Sequence, residues 1–288
     1  MSPCFGCGNT EAPFVCSACS SAWYCGAQCQ RGDWTLHKTA CKSRQKEWVE
    51  QGTAFCMAAL DGDLNGVERF IQEGVDVSFV IQTPGDYKGC FALHAAADRG
   101  HVNVIRCLLN HGANANQTLG ETNISPIYQA VIGNRQQAVV ALIEGGADVN
   151  LACSLGCTPL RVAVERRYVD LVKLLLANKK TNINAADAEG CTPVFTASEK
   201  GYGDVLTLLI KQGASVKLNK IGGITPIHAA AYHGQAECAK LLIEAGIDVY
   251  QVDDDDLTAL DLAVMKKNVN VETIIRAHMN KFPQKKNR

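Results

Sequence analysis

Seven of the fourteen cysteines lie at or before Cys41, and they come in short pairs. The spacing is Cys4-x2-Cys7, Cys16-x2-Cys19, Cys25-x3-Cys29 and His37-x3-Cys41, which makes eight soft donors in four pairs. Zinc takes four such donors in a structural site, and a short pair lets two side chains grip one ion from a single turn of chain. Eight donors therefore suit two closed tetrahedra with no position open to water or substrate. The chemistry expected is scaffolding. The last two pairs are spaced i, i+4, which on a helix places both donors on one face. A disulfide framework would need an oxidising compartment and would leave one of the seven cysteines over. A catalytic zinc would lack its fourth protein donor, whereas here every position is supplied. A segment this short buries little apolar surface and needs the metal to fold.

The residues between the donors are as informative as the donors. Cys16-Ser17-Ala18-Cys19, Trp23-Tyr24-Cys25, Cys29-Gln30, Asp33-Trp34, His37-Lys38 and Cys41 together resemble a MYND-type zinc finger across residues 4–41. The resemblance implies interleaved ligation of two Zn2+ ions. Cys4, Cys7, Cys25 and Cys29 would hold one zinc, and Cys16, Cys19, His37 and Cys41 the other. Such fingers bind proteins, and several take proline-rich peptides in extended form. The resemblance then assigns Ser17, Gln30 and Trp34 to the peptide-binding surface. An indole face suits proline rings, while Gln and Ser suit the hydrogen bonds of an extended peptide. Trp34 packing the finger's small core is the structural alternative.

Elements that could position such a finger begin right after it. Residues 42–52 read as a polar linker, helix-compatible, with Trp48 and Val49 as its large apolar residues. From there a pattern recurs: Phe91-Ala-Leu-His-Ala-Ala96, Ser125-Pro-Ile-Tyr-Gln-Ala130, Thr158-Pro-Leu-Arg-Val-Ala163, Thr192-Pro-Val-Phe-Thr-Ala197, Thr225-Pro-Ile-His-Ala-Ala230 and Thr258-Ala-Leu-Asp-Leu-Ala263. The copies stand 33 or 34 residues apart, the period of a helical repeat array. In each, Thr or Ser is expected to cap free backbone N–H groups, and Pro suits the first helical turn. A second helix with paired leucine-like positions is expected to stop at Gly112, Gly146, Gly213 and Gly246, where a left-handed residue is needed. The fourth unit has Ala177-Asn178-Lys179-Lys180 instead, and Asn178 is expected to take that left-handed conformation.

These units are similar to ankyrin repeats over residues 53–279, as six or seven copies, with Phe55 to Gly62 as a degenerate first copy. The resemblance implies protein binding through hairpin tips and inner helices, the tips lying near 117–123, 151–155, 185–189, 218–222 and 251–256. His94 and His228 fall in the slot where a histidine ties the turn by hydrogen bonds. Cys90, Cys157 and Cys191 share another repeat slot, so Cys153-x3-Cys157 is not expected to be a third metal site. The acidic run Asp253 to Asp256 reads as a solvated loop, and residues 280–288 as a short basic tail.

The bulk numbers bound the function. Apolar residues make up 47 % and aromatics 6 %, so the core must be built from Ala, Leu, Val and Ile. The fold class expected is mostly α: a small two-zinc cross-braced finger followed by a solenoid of helix-turn-helix units. The formal net charge is −1, and between Met1 and Thr53 five basic residues face four acids, without the clustered basic face that duplex DNA requires. No secretory signal or membrane span is expected, so an intracellular location, cytoplasmic with the nucleus as a second site, is the reading. No glycine-rich phosphate loop or acid–base constellation stands outside the repeats. The function expected is therefore an adaptor, with no small-molecule substrate, the finger taking one protein and the array another. The alternatives are a nuclear transcription or chromatin cofactor scaffold and, behind it, an enzyme related to MYND-containing methyltransferases.

Overall fold

The computed structural model describes residues 48–81 and 89–283, together with the backbone of 14–15, 23–24 and 34–47. The chain divides into two units, 1–92 and 93–288.

In the first unit, strands β1 (Phe14–Val15) and β2 (Trp23–Tyr24) pair antiparallel, Phe14 opposite Tyr24 and Val15 opposite Trp23. Helix α1 (Trp34–Asp61) then runs unbroken for 28 residues, through the stretch 42–52. It contains no proline, and its one glycine has a packing reason. A Cβ on Gly52 would collide with the ring of Phe79, which is buried there and meets Trp48 edge-on, centroids 4.9 Å apart. The glycine costs the helix about 1 kcal/mol in propensity and in return lets an aromatic ring lie against the backbone. Asp63 starts α2 (Leu64–Gln72) by accepting the Gly66 N–H at 3.0 Å. Phe55 of α1 and Phe70 of α2 close the pair edge to face at 6.4 Å.

The second unit repeats one plan. The first helices are α3 (Ala92–Arg99), α5 (Pro126–Ile132), α7 (Pro159–Glu165), α9 (Pro193–Lys200), α11 (Pro226–Tyr232) and α13 (Ala259–Met265). Their partners are α4 (Val102–Asn110), α6 (Gln136–Glu144), α8 (Val169–Ala177), α10 (Gly203–Lys211), α12 (Ala236–Glu244) and α14 (Val269–Lys281). Among the described residues these six helix pairs make the second unit a mostly α solenoid, and α1 with α2 forms a seventh helix pair in the first unit. Ser125, Thr158, Thr192, Thr225 and Thr258 all cap their helices, each hydroxyl accepting the N–H three residues on. Ala96, Ala130, Ala163, Ala197, Ala230 and Ala263 occupy one slot of every unit and are completely buried. A side chain no larger than a methyl there lets successive first helices pack closely. Around them Ile105, Leu108, Ile127, Leu142, Leu160, Leu171, Leu175, Leu206, Leu209, Ile227 and Leu242 form the core. The low aromatic content is thus met by small and branched aliphatic side chains.

Gly112, Gly146, Gly213 and Gly246 do adopt positive φ, between 83° and 89°. Asn178 does not. It is extended, with φ −81° and ψ 115°. The helix end is closed differently: the Thr181 hydroxyl donates to the Leu175 carbonyl at 2.6 Å, and the Asn178 side chain accepts the Lys180 N–H at 2.9 Å. With those partners in place, no left-handed residue is required. In the first helices a second variation occurs, since after Gly133 the positive φ falls on Asn134, at 55°.

Two ladders join the units. Along the hairpin tips, the N–H groups of Ser154, Ala188, Ile221 and Asp254 donate to the carbonyls of Thr122, Leu155, Glu189 and Gly222, at 2.9–3.1 Å. Beyond the second helices, Asn116, Asn150 and Asn184 accept the N–H groups of Asp148, Asn182 and Ser215. Each repeat therefore satisfies backbone groups of the next, a nearest-neighbour design.

Candidate functional site

The metal donors predicted from spacing divide by position. Cys4, Cys7, Cys16, Cys19, Cys25 and Cys29 lie outside the described residues, as do Ser17 and Gln30. Trp34, His37 and Cys41 belong to α1, with His37 and Cys41 one helical turn apart along the backbone. Among the described residues, no group of three or more histidines, cysteines and carboxylates is placed to hold a metal.

The repeat array carries its own surface. A groove of about 400 Å³ is lined by Phe195 and Glu199 of α9, Tyr232 of α11 with His233 just beyond it, Met265 of α13, and the loop residues Lys220, Asp253 and Asp255. The groove arises from the repeat itself. Glu199, Tyr232 and Met265 are the same slot in three consecutive units, eighth from the capping Thr. The slot turns away from the core, so Tyr232 stays 46 % exposed and Met265 62 %. Singly exposed apolar residues are ordinary, and adjacent ones framed by charge make this groove a candidate contact surface.

The charge is fixed in place. Lys220 Nζ lies 2.7 Å from Glu189 Oε2 and 5.9 Å above the Phe195 ring. The hydrogen bond to Glu189 holds its ammonium above the ordinary lysine range, against a smaller opposing effect of burial. Lys266 Nζ sits 4.1 Å over the Tyr232 ring, a distance at which a cation is drawn to an aromatic face. Beneath, His228 is fully buried and ties two repeats. Its Nδ1 faces the Thr225 hydroxyl and N–H, and its Nε2 lies 3.1 Å from the Leu257 carbonyl. Burial lowers its pKa, so it is a neutral strut. His94 does the same work against the Ile124 carbonyl at 3.0 Å. The acidic run is also partly structural, because Asp253 accepts the N–H groups of Asp255 and Leu257 within its own loop.

The tips expected from sequence at 218–222 and 251–256 contain Lys220, Asp253 and Asp255, whereas the sequence does not single out Tyr232 or Met265. The available signal was the eighth slot, where apolar side chains replace the Glu of neighbouring units.

The ankyrin-repeat family profile matches three segments, 55–153, 127–220 and 217–285, which together cover most of the chain. The chain belongs to the ankyrin-repeat family. The MYND finger profile matches residues 4–41, so this ankyrin-repeat chain carries an N-terminal MYND finger. It is 31 % identical over 129 residues to the ankyrin repeat protein YahD of Escherichia coli, covering 43 % of this chain and 61 % of that one. Over 42 residues it is 48 % identical to the histone-lysine N-methyltransferase ASHR1 of Arabidopsis thaliana, covering 15 % of this chain and 9 % of that protein. It therefore spans less than two thirds of the length of these curated relatives. Among solved structures it is similar to the ankyrin repeat domain of human ASB11, with a TM-score of 0.65 and 29 % identity, covering 78 % of this chain and 96 % of that one. Ankyrin repeats and MYND fingers are protein-interaction modules, and this chain carries both. No helix among the described residues is long and apolar enough to cross a membrane.

Proposed function

We propose that the protein is a two-site adaptor: the ankyrin groove holds an extended segment of one protein, and the zinc-stabilised finger takes a proline-rich peptide of another. The observation that carries the array's half is the pairing of Tyr232 and Met265 on successive units, exposed and framed by Lys220, Lys266 and Asp255. Apolar side chains of the segment pack on the ring and thioether, and the framing charges set its direction and register. Large aromatic residues in a polar frame are where binding energy concentrates.

The finger's half rests on its donor set. Seven thiols and one imidazole in four pairs match the soft, four-coordinate preference of zinc twice over. Cys4, Cys7, Cys25 and Cys29 would hold one ion, and Cys16, Cys19, His37 and Cys41 the second. The metals supply folding energy and leave no open position for a reacting group. Ser17, Gln30 and Trp34 then form the peptide surface.

Two measurements on the full chain test this. Metal analysis is expected to give two zincs per chain; a value of one would overturn the ligand assignment. A proline-rich peptide array probed with wild type, Trp34→Ala and the double variant Tyr232→Ala/Met265→Ala is expected to lose signal only with Trp34→Ala. Equal signal from all three would remove the finger from peptide binding, whereas loss with the double variant would assign the peptides to the groove.

A further inference from the structure

One hairpin tip differs chemically from its neighbours. In four consecutive units the tip closes in the same way: the N–H of Cys153, Asp187, Lys220 and Asp253 donates to the carbonyl of Cys157, Cys191, Ile224 and Leu257 respectively. In the aspartate tips the carboxylate accepts two N–H groups of its own loop. Asp187 takes those of Glu189 and Cys191, both at 2.9 Å, and Asp253 takes those of Asp255 and Leu257. These loops are built around an anion. In the tip that leads into Thr158 the equivalent position is Cys153, and the backbone of Leu155 and of Cys157, the matching positions, favours its ionised form.

Further donors converge there. The Tyr128 hydroxyl donates to Cys153 Sγ at 3.5 Å, and the Cys157 thiol also favours the ionised form of Cys153. Burial opposes ionisation of Cys153, yet these hydrogen bonds outweigh it and bring its thiol below the ordinary value. Arg161 reaches Cys157 Sγ at 2.6 Å, and Asp187 and Glu165 flank the guanidinium at 3.4 and 3.8 Å. Cys157 is buried and Cys153 half-buried, so the sulfur with the anion's place is also the one solvent reaches. By contrast Cys191, beside Asp187, is pushed up to about 11, first by burial and then by that carboxylate.

We propose that Cys153 and Cys157 are a hydroperoxide-sensitive dithiol, in which Cys153 attacks and Cys157 resolves. The Cys153 thiolate attacks one oxygen of hydrogen peroxide; the O–O bond breaks and hydroxide leaves, taking a proton from solvent. The product is a sulfenic acid on Cys153, with sulfur oxidised by two electrons and peroxide reduced. Cys157 then gives its proton to solvent and attacks that sulfur. An S–S bond forms, the S–O bond breaks, and the departing hydroxide takes up a proton as water. Two thiols and one peroxide thus become one disulfide and two waters. The step falls on a loop that carries two rungs of the tip ladder, Ser154 to Thr122 and Ala188 to Leu155, so oxidation acts on a joint between repeats.

The test uses the full, zinc-loaded chain treated with hydrogen peroxide and then alkylated. Trypsin releases residues 136–161, whose cysteines are Cys153 and Cys157 alone, so the finger's thiols are read separately. The expected result is a peptide lacking two hydrogens and resistant to alkylation. Dimedone is expected to label Cys153 in Cys157→Ser, and nothing in this peptide in Cys153→Ser. At pH 7 Cys153 of Cys157→Ser is expected to be alkylated about tenfold faster than Cys191, and Tyr128→Phe to shift its alkylation profile to higher pH. Cys153→Asp copies the Asp187 and Asp253 tips, so it keeps the fold while removing the chemistry. Alkylation of Cys153 no faster than Cys191, a dimedone adduct on Cys157 instead, or a disulfide-free peptide while Cys191 and Cys238 oxidise equally would overturn the proposal.

Discussion

Acidification is expected to weaken the array through a histidine that is uncharged when folded. His94 is 1 % exposed, and burial lowers its pKa from 6.5 to about 4, against the opposing pull of the Ile124 and Gln117 carbonyls. In the unfolded chain the same imidazole takes a proton near its ordinary value. Above pH 6.5 both states are neutral and nothing is lost. As pH falls from 6.5 toward 4 only the unfolded chain binds the proton, so stability drops; below 4 the loss levels off. The gap corresponds to about 3 kcal/mol, a large part of the stability of an ordinary domain. His228 adds a loss of the same sign, because burial lowers its pKa too. The perturbation is His94→Gln, which keeps an N–H able to reach the Ile124 carbonyl but does not titrate. Urea midpoints from pH 7.5 to 4.5, read by circular dichroism, should fall less steeply in the variant. Contributions from groups other than residue 94 are common to both chains and cancel in the difference. Proton NMR of the native wild type should place the His94 titration near pH 4. A titration near 6.5, or identical pH slopes for the two chains, would refute the reasoning.

Other perturbations carry their own magnitudes. Thr192→Ala removes a cap whose hydroxyl accepts the Phe195 N–H at 3.1 Å and should cost about 1 kcal/mol in urea denaturation, with no effect on zinc content. Gly213→Ala meets no atom within 4 Å, yet φ there is 85°, so a destabilisation of about 1–2 kcal/mol should come from backbone strain alone. Gly52→Ala should destabilise by about 1–3 kcal/mol for the opposite reason, since the new methyl displaces the Phe79 ring; Gly52→Ala combined with Phe79→Leu should recover part of the loss. Leu142→Ala, at a fully buried position, should cost about 2–5 kcal/mol, and a smaller loss would mean the neighbouring helices collapse into the space.

What was legible in the sequence was whatever is decided locally. The Thr-Pro starts and the four terminal glycines each reflect one residue's own backbone, and both are found as expected. His94 and His228 were also readable, because the slot and the tied carbonyl recur with the period. Asn178 was misread because its helix end depends on Thr181, whose hydroxyl reaches back to Leu175 only once the turn has formed. The groove was hidden for a related reason: Tyr232 and Met265 are an ordinary slot in sequence, and their exposure follows from how neighbouring units stack. Nothing in the sequence singles out Cys153, because its kinship with Asp187 and Asp253 is a shared place in the tip held by unlike residues.

The central claim is that another protein occupies the groove at Tyr232. A photo-crosslinking amino acid placed at position 232 of the full chain in cells, against the same label at exposed Lys173 of α8, tests it most directly. The account predicts discrete adducts with a peptide of another protein from position 232, diminished by Met265→Ala, and none of these from position 173. Identical adducts from both positions, or none from 232 while the chain remains folded, would contradict it.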